Sequence, residues 1–225
     1  MNIDFHAHIL PGADHGCKDL SMSMQQLALA QKAGIDQIIA TPHFYPQNES
    51  CADFLARREQ AFAQLRQAIK GKQLPKVLLG AEVQLHLGLE RVEGLEQLCI
   101  QGTNVLLLEL PPNFSVRKHD QTIDALLYER KLKVVLAHVD RYPALHIDFL
   151  LDFGCLAQLN ASALCHMRSS RHCAPWIKSG SIAALGSDIH GTETGYQEFL
   201  KAKKRLGSEY NAIMSRTYSL LNDHD

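Results

Sequence analysis

Residues 1–16 read MNIDFHAHILPGADHG. A short β-prone run, Asn2–Phe5, passes directly into two imidazoles, His6 and His8, with a carboxylate, Asp14, close behind. The stretch has two readings, a solvated His-rich loop or half of a metal site. The rest of the chain decides between them.

Working outward, brief aliphatic runs recur at Asn2–Phe5, Gln37–Ala40, Lys76–Gly80, Asn104–Leu108, Lys133–Ala137, Leu156–Leu159 and Ile182–Leu185. Such runs fit strands buried on both faces of a parallel sheet. Amphipathic stretches separate them. Leu20, Met24, Leu27 and Ala28 form one helical stripe closed by Gly34. Phe54, Phe62, Leu65 and Ile69 form another closed by Gly71, and weaker helical patterns lie at about 90–101, 119–131, 145–152, 170–179 and 193–206. Strand-then-helix repeated about seven times predicts an α/β fold with a parallel sheet. Seven units in this length favour a distorted seven-stranded (β/α)7 TIM-like barrel over an open doubly wound sheet. There is no low-complexity linker, so residues 1–225 are expected to form one domain. No GxGxxG or GxxxxGK[ST] motif supports a nucleotide-binding loop.

The chain has 225 residues and a formal net charge of −1, which gives no general pull toward nucleic acid or anionic membrane. No apolar run approaches the roughly 20 residues of a membrane span, and the first residues lack the pattern of a signal peptide. A cytoplasmic protein without direct membrane insertion is expected. The six cysteines show no CxxC and read as reduced core thiols. Cysteine-based phosphatase chemistry is not expected of them.

Twelve histidines are present, and several fall in one phase relative to the strands. His6 and His8 follow the first run, His43 the second and Glu82 the third. Glu109 ends the fourth, His138 the fifth, and Asp188 and His190 follow the seventh. The carboxyl ends of parallel barrel strands converge on one face, where active sites are built. Scattered surface histidines would not keep this phase. Mixed imidazole and carboxylate donors suit manganese, zinc or iron, and these eight residues with Asp14 are enough for three divalent ions. His15 reads as outer shell or solvent. His86, His119, His146, His166, His172 and His224 read as structural or solvated, and Arg168 and Arg171 as a solvated helix face.

The successive segments DFHAHILPGADHG (4–16), ATPHFYP (40–46), GAEVQLH (80–86), LLLELP (106–111), AHVDRYP (137–143), QLNASAL (158–164) and GSDIHG (186–191) resemble the ordered motifs of the polymerase-and-histidinol-phosphatase (PHP) superfamily. The similarity is greatest to its bacterial manganese-dependent protein-tyrosine phosphatases of capsule and exopolysaccharide synthesis. The resemblance implies a distorted barrel and three ions, most typically Mn²⁺. His6, His8, Glu82 and Asp188 would hold one ion. Glu82 would bridge to a second, shared with Glu109 and His138. Asp14, His43 and His190 would hold the third. It implies a phosphotyrosine protein, a tyrosine autokinase, as substrate and partner. The expected chemistry is in-line attack on phosphorus by a metal-bridging hydroxide, with Glu82 and His138 in the catalytic set and Arg141 binding the phosphate. One departure is the segment 191–195, where the family's arginine is replaced by Gly-Thr-Glu-Thr-Gly; another is Val139-Asp140 before Arg141. A small-molecule phosphatase acting on histidinol phosphate, and a non-catalytic metal-binding regulatory module, are the competing expectations.

Overall fold

Among the described residues every strand runs parallel to its neighbours. The computed structural model describes residues 1–191 and 195–222. The departure expected at 192–194 and His224 lie outside the described residues. The strands are β1 (Ile3–Ala7), β2 (Gln37–Ala40), β3 (His43–Phe44), β4 (Lys76–Leu79), β5 (Glu82–Gln84), β6 (Val105–Glu109), β7 (Lys133–Leu136), β8 (Leu156–Asn160) and β9 (Ile182–Gly186). The helices are α1 (Leu20–Lys32), α2 (Cys51–Ile69), α3 (Val116–Asp124), α4 (Ala144–Asp152), α5 (Met167–Ser179), α6 (Gly195–Leu206) and α7 (Ser208–Asn222).

The seven expected strands form, but as parts of two sheets. The order is β1-β2-β4 in one and β3-β5-β6-β7-β8-β9 in the other. The expected α/β fold with parallel strands is present, and the described residues carry nine strands in two sheets where seven in one were expected. The second unit breaks between β2 and β3 at Thr41-Pro42, because proline has no N–H for the ladder. The third breaks at the neighbouring level, at Gly80-Ala81, giving β4 and β5. Each break hands the chain from the three-stranded sheet to the six-stranded one. Backbone bonds carry pairing across them: Gly80 N–H donates to Ala40 O at 2.9 Å and Glu82 N–H to Pro42 O at 3.1 Å. Past β9, Asp188 N–H donates to His6 O at 2.8 Å and His8 N–H to Ile189 O at 3.1 Å.

Local chemistry explains the elements. The Asp19 side chain accepts from Met22 N–H at 2.9 Å and caps α1. At the other end, Gly34 N–H and Ile35 N–H satisfy the carbonyls of Gln31 and Ala30, a Schellman closure. Ser50 caps α2. The helical pattern expected near 90–101 is instead two 3₁₀ turns, Leu89–Arg91 and Leu95–Leu98, because Gly94 between them takes a left-handed backbone (φ 78°). Phe5, Ile38, Ile39, Val83, Leu106, Leu107, Val134, Val135, Leu159 and Leu185 are fully buried, as strands covered on both faces require. α7 was not expected. It lies against β1 and β9, where Thr217 Oγ1 donates to Ala183 O at 2.8 Å and Arg216 Nε–H to Ile182 O at 2.8 Å. The cysteines are free and most are buried, as expected. Burial pushes the Cys99, Cys155 and Cys173 thiols up to about 12, away from nucleophilic use.

Candidate metal centre

The carboxyl ends of the strands converge. β1 delivers His6 inside the strand and His8 just beyond it. The breaks at Pro42 and Gly80 place His43 and Glu82 at the first residues of β3 and β5, paired directly across the sheet. Glu109 is the last residue of β6. His138 and Asp188 follow β7 and β9 with left-handed backbones, φ 35° and 51°. Such conformations in side-chain-bearing residues cost roughly 1–3 kcal/mol each and concentrate at functional sites. His6, His8, Glu82 and His138 are no more than 1 % exposed.

Glu82 is the hub. Its Oε2 stands 3.2 Å from His6 Nε2, 3.2 Å from His8 Nε2 and 2.9 Å from His43 Nδ1. Its Oε1 stands 2.7 Å from His138 Nε2. His6 Nε2 and His8 Nε2 are 3.1 Å apart, and Asp188 Oδ1 lies 3.6 and 3.5 Å from them. Ligand atoms about 2.1 Å from one first-row ion stand roughly 3.0–3.4 Å from each other. The His6, His8, Glu82 and Asp188 atoms lie near that spacing. Glu82 Oε2, Asp188 Oδ1, His43 Nδ1 and His138 Nδ1 are buried without a well-formed hydrogen bond. Buried polar atoms are rarely left so, and a cation bound among these donors would satisfy Glu82 Oε2 and Asp188 Oδ1. The residues therefore fit divalent ions. Three donor groups have atoms within 4.8 Å of one another: His6, His8 and Asp188; His43, Glu82 and Glu109; and His8, His43 and His190.

Electrostatics agree. Burial opposes charge throughout the cluster, yet it holds Glu82 well below the usual carboxylate range because four imidazoles face it. Asp188 is likewise held low, against burial, by His6, His8 and Arg141. His6 and His8 are raised against burial by the surrounding carboxylates. Glu109, in contrast, is raised by burial and by the Glu82 charge. The pocket thus fixes carboxylate anions and draws positive charge into its centre.

All nine sequence-predicted ligands lie in or beside this cluster, but not all in the expected groupings. Asp14 Oδ2 accepts from His8 Nδ1 at 2.7 Å and from the His43 backbone N–H at 3.1 Å. His8, rather than Asp14, groups with His43 and His190. Arg141 is half exposed, and its Nη2 pairs with Asp188 Oδ2. His15, read from sequence as outer shell or solvent, and Tyr45, not singled out there, both stack on His43, with centroids at 4.8 and 5.4 Å. Burial and Glu109 push the Tyr45 phenol up to about 12, so it stays neutral. Two buried amides of β8, Gln158 and Asn160, were also missed, although their i, i+2 spacing inside a strand puts them on one face. Among the other histidines, His119 and His172 bond the backbone carbonyls of Ser115 and Tyr142, as structural residues do. Arg168 and Arg171 are exposed on α5.

Fold and site define a parallel α/β protein with a cluster of imidazoles and carboxylates, suited to several cations, at the strand ends. The chain belongs to the capsular polysaccharide synthesis CpsB/CapC family, whose profile matches residues 2–224. It is 29 % identical over 237 residues to the tyrosine-protein phosphatase YwqE of Bacillus subtilis (strain 168), covering 97 % of this chain and 91 % of that protein. It is 28 % identical over 230 residues to the tyrosine-protein phosphatase CpsB of Streptococcus pneumoniae, covering 93 % and 91 %. Among solved structures it resembles one from the work on YwqE of Bacillus subtilis and CpsB of Streptococcus pneumoniae, described as metal-dependent tyrosine phosphatases. There the TM-score is 0.80 at 22 % identity, over 99 % of this chain and 95 % of that one. Histidinol phosphate phosphatase of Lactococcus lactis has a TM-score of 0.56 at 13 % identity, over 92 % and 94 %, a likeness of fold alone.

Proposed function

We propose that this protein is a metal-dependent protein-tyrosine phosphatase of capsule or exopolysaccharide synthesis, acting in the cytoplasm on a phosphotyrosine-bearing tyrosine autokinase. Residues 1–225 form one domain, and the seven strand units, linked through the Asp188–His6 and His8–Ile189 backbone bonds, act as a distorted barrel. The observation that carries the reading is the convergence of four imidazoles on one buried carboxylate, Glu82, in a chain of the CpsB/CapC family. The centre takes three divalent ions, most typically Mn²⁺. His6, His8, Glu82 and Asp188 hold the first, Glu82, Glu109 and His138 the second, and His43 and His190 the third with Asp14 beside them.

Bound there, the ions supply water activation near neutral pH and a clamp for phosphoryl oxygens. The chain's own residues do the rest. Glu82 and the other buried carboxylates fix the positions of positive charge facing the phosphate. Arg141 swings from Asp188 to the phosphate as a forked donor. A phenolate leaves with a pKa of about 10, far below an alkyl alcohol, so it needs little proton transfer from the chain.

Purified protein is expected to hydrolyse p-nitrophenyl phosphate and phosphotyrosyl peptide, to lose that activity with chelator, and to regain it with Mn²⁺. Activity unchanged by complete metal removal would overturn the reading. A kcat/KM for histidinol phosphate above that for the phosphotyrosyl peptide would move it to the small-molecule class. Arg141→Ala is expected to lower kcat/KM about 10- to 100-fold, as loss of a charged hydrogen bond of roughly 1.5–3 kcal/mol requires. Arg141→Lys should recover only part, since an ammonium cannot fork. Steady-state kinetics of the three proteins check this.

A further inference from the structure

Within the described six-stranded sheet, β8 is the strand whose end supplies no metal-type donor. It carries Gln158 and Asn160 instead, 0 % and 2 % exposed. We propose that this amide pair is a relay of positioning residues: it fixes the His6 ring with its Nε2 lone pair aimed into the centre and tethers Asp188 and the His138 backbone around it. The inference rests on the cation-binding reading above and deepens it.

The hydrogen positions follow from one backbone group. His138 N–H can only donate, and it faces Gln158 Oε1 at 2.7 Å. That fixes the amide with its oxygen toward His138. The same oxygen lies 3.1 Å from His6 Nδ1. An amide oxygen only accepts, so Nδ1 bears the proton. A cation on this ring requires it neutral, and with the proton on Nδ1 the lone pair is then on Nε2, the atom 3.1 Å from His8 Nε2 and 3.2 Å from Glu82 Oε2. Gln158 Nε2 must donate, and Asn160 Oδ1 receives it at 3.0 Å. Asn160 Nδ2 then donates to Asp188 Oδ2 at 3.1 Å. The Asn160 backbone N–H is itself anchored on Asp140 Oδ1 at 3.1 Å. A single direction of donation therefore runs from β8 into Asp188, while one oxygen collects His6 and His138. The carboxylate oxygen left free by this tether is Asp188 Oδ1, which lies toward His6 and His8.

Space for the relay is reserved. A Cβ on Gly186 would stand 2.7 Å from Gln158 Nε2 and 2.6 Å from His6 Cβ. Both contacts are closer than side chains tolerate, so β9 leaves this volume to the amide. Outer hydrogen bonds of this kind set the tautomer and orientation of ligand imidazoles, and their loss costs about 10- to 100-fold in metal affinity.

The test uses the whole chain, with Mn²⁺ alone as titrant in calorimetry and ¹⁵N-labelled Zn²⁺-loaded protein for NMR. Gln158→Met keeps the length of the side chain and removes the amide. It is expected to weaken Mn²⁺ binding about 10- to 100-fold and to erase the slowly exchanging Nδ1–H resonance of His6. Gln158→Glu, which keeps an acceptor facing His6 and His138, is expected to restore that resonance, which a role in packing alone would not do. Mn²⁺ affinity of Gln158→Met within twofold of an intact wild type overturns the relay alone. No Mn²⁺ binding by the wild type overturns both the relay and the functional reading. Should Gln158→Met fail to fold, the wild-type spectrum decides: a ring proton on Nδ1 of His6 supports the relay, and one on Nε2 overturns it.

Discussion

Glu82→Ala is expected to lower kcat/KM for aryl phosphate hydrolysis by about 10³-fold or more, equivalent to roughly 4 kcal/mol of transition-state stabilisation. The size follows from position. One carboxylate faces His6, His8 and His43 with one oxygen and His138 with the other. Losing a single preorganised electrostatic partner at an active site costs about 10²–10³-fold. Glu82 serves two of the proposed ions, so its removal should exceed that range. It also leaves four imidazoles crowded together without their anion, so Mn²⁺ content after dialysis should fall with activity. Glu82→Gln keeps the volume and loses the charge. It is expected to be nearly as inactive, which separates charge from packing. Metal analysis and kinetics on both variants check the point. Glu82→Ala with wild-type metal content and turnover would remove Glu82 from the centre.

Gly186→Ala is the second large effect. The new methyl would meet His6 Cβ at 2.6 Å and Gln158 Nε2 at 2.7 Å, and neither neighbour can withdraw. His6 belongs to fully buried β1, and Gln158 is held by His138 and Asn160. Overpacking of this sort costs about 1–3 kcal/mol. The midpoint of urea unfolding should therefore drop visibly. The displaced atoms are those that aim His6, so activity at full Mn²⁺ should fall by more than the folded fraction does. A variant as stable and active as the wild type would show that β9 can retreat and that the reserved volume has no role.

Much of the site was legible because the chain breaks its apolar runs abruptly. Strands buried on both faces read as hydrophobic stretches, so a His, Asp or Glu at the end of VLLLE or VVLAH stands out. The grouping of donors was less legible. Asp14 is close enough in sequence to ligate or to hold a ligand, and the structure adds that its Oδ2 lies 2.7 Å from His8 Nδ1. β3 and β5 escaped notice because strands of two and three residues carry no periodicity. Gln158 and Asn160 share one face of β8 by their i, i+2 spacing, but nothing in sequence shows that two amides there are buried and satisfied by neighbours. α7 is different: Tyr210, Ile213, Met214, Thr217, Leu220 and Leu221 follow helical spacing and are all buried, so its signal is present in the sequence.

The contact between the two ends of the strand series has a kinetic side. Ser187 N–H and Oγ–H donate to Asp4 at 2.8 and 2.6 Å, across 183 positions of chain. Closing so long a loop is entropically slow, and folds ruled by distant pairings assemble late. His6 and Asp188 flank that clasp, so the centre comes together only when the first and last strands have met. Capture of Mn²⁺ during refolding would therefore follow the meeting of β1 and β9, and loaded ions would hold those two strands together.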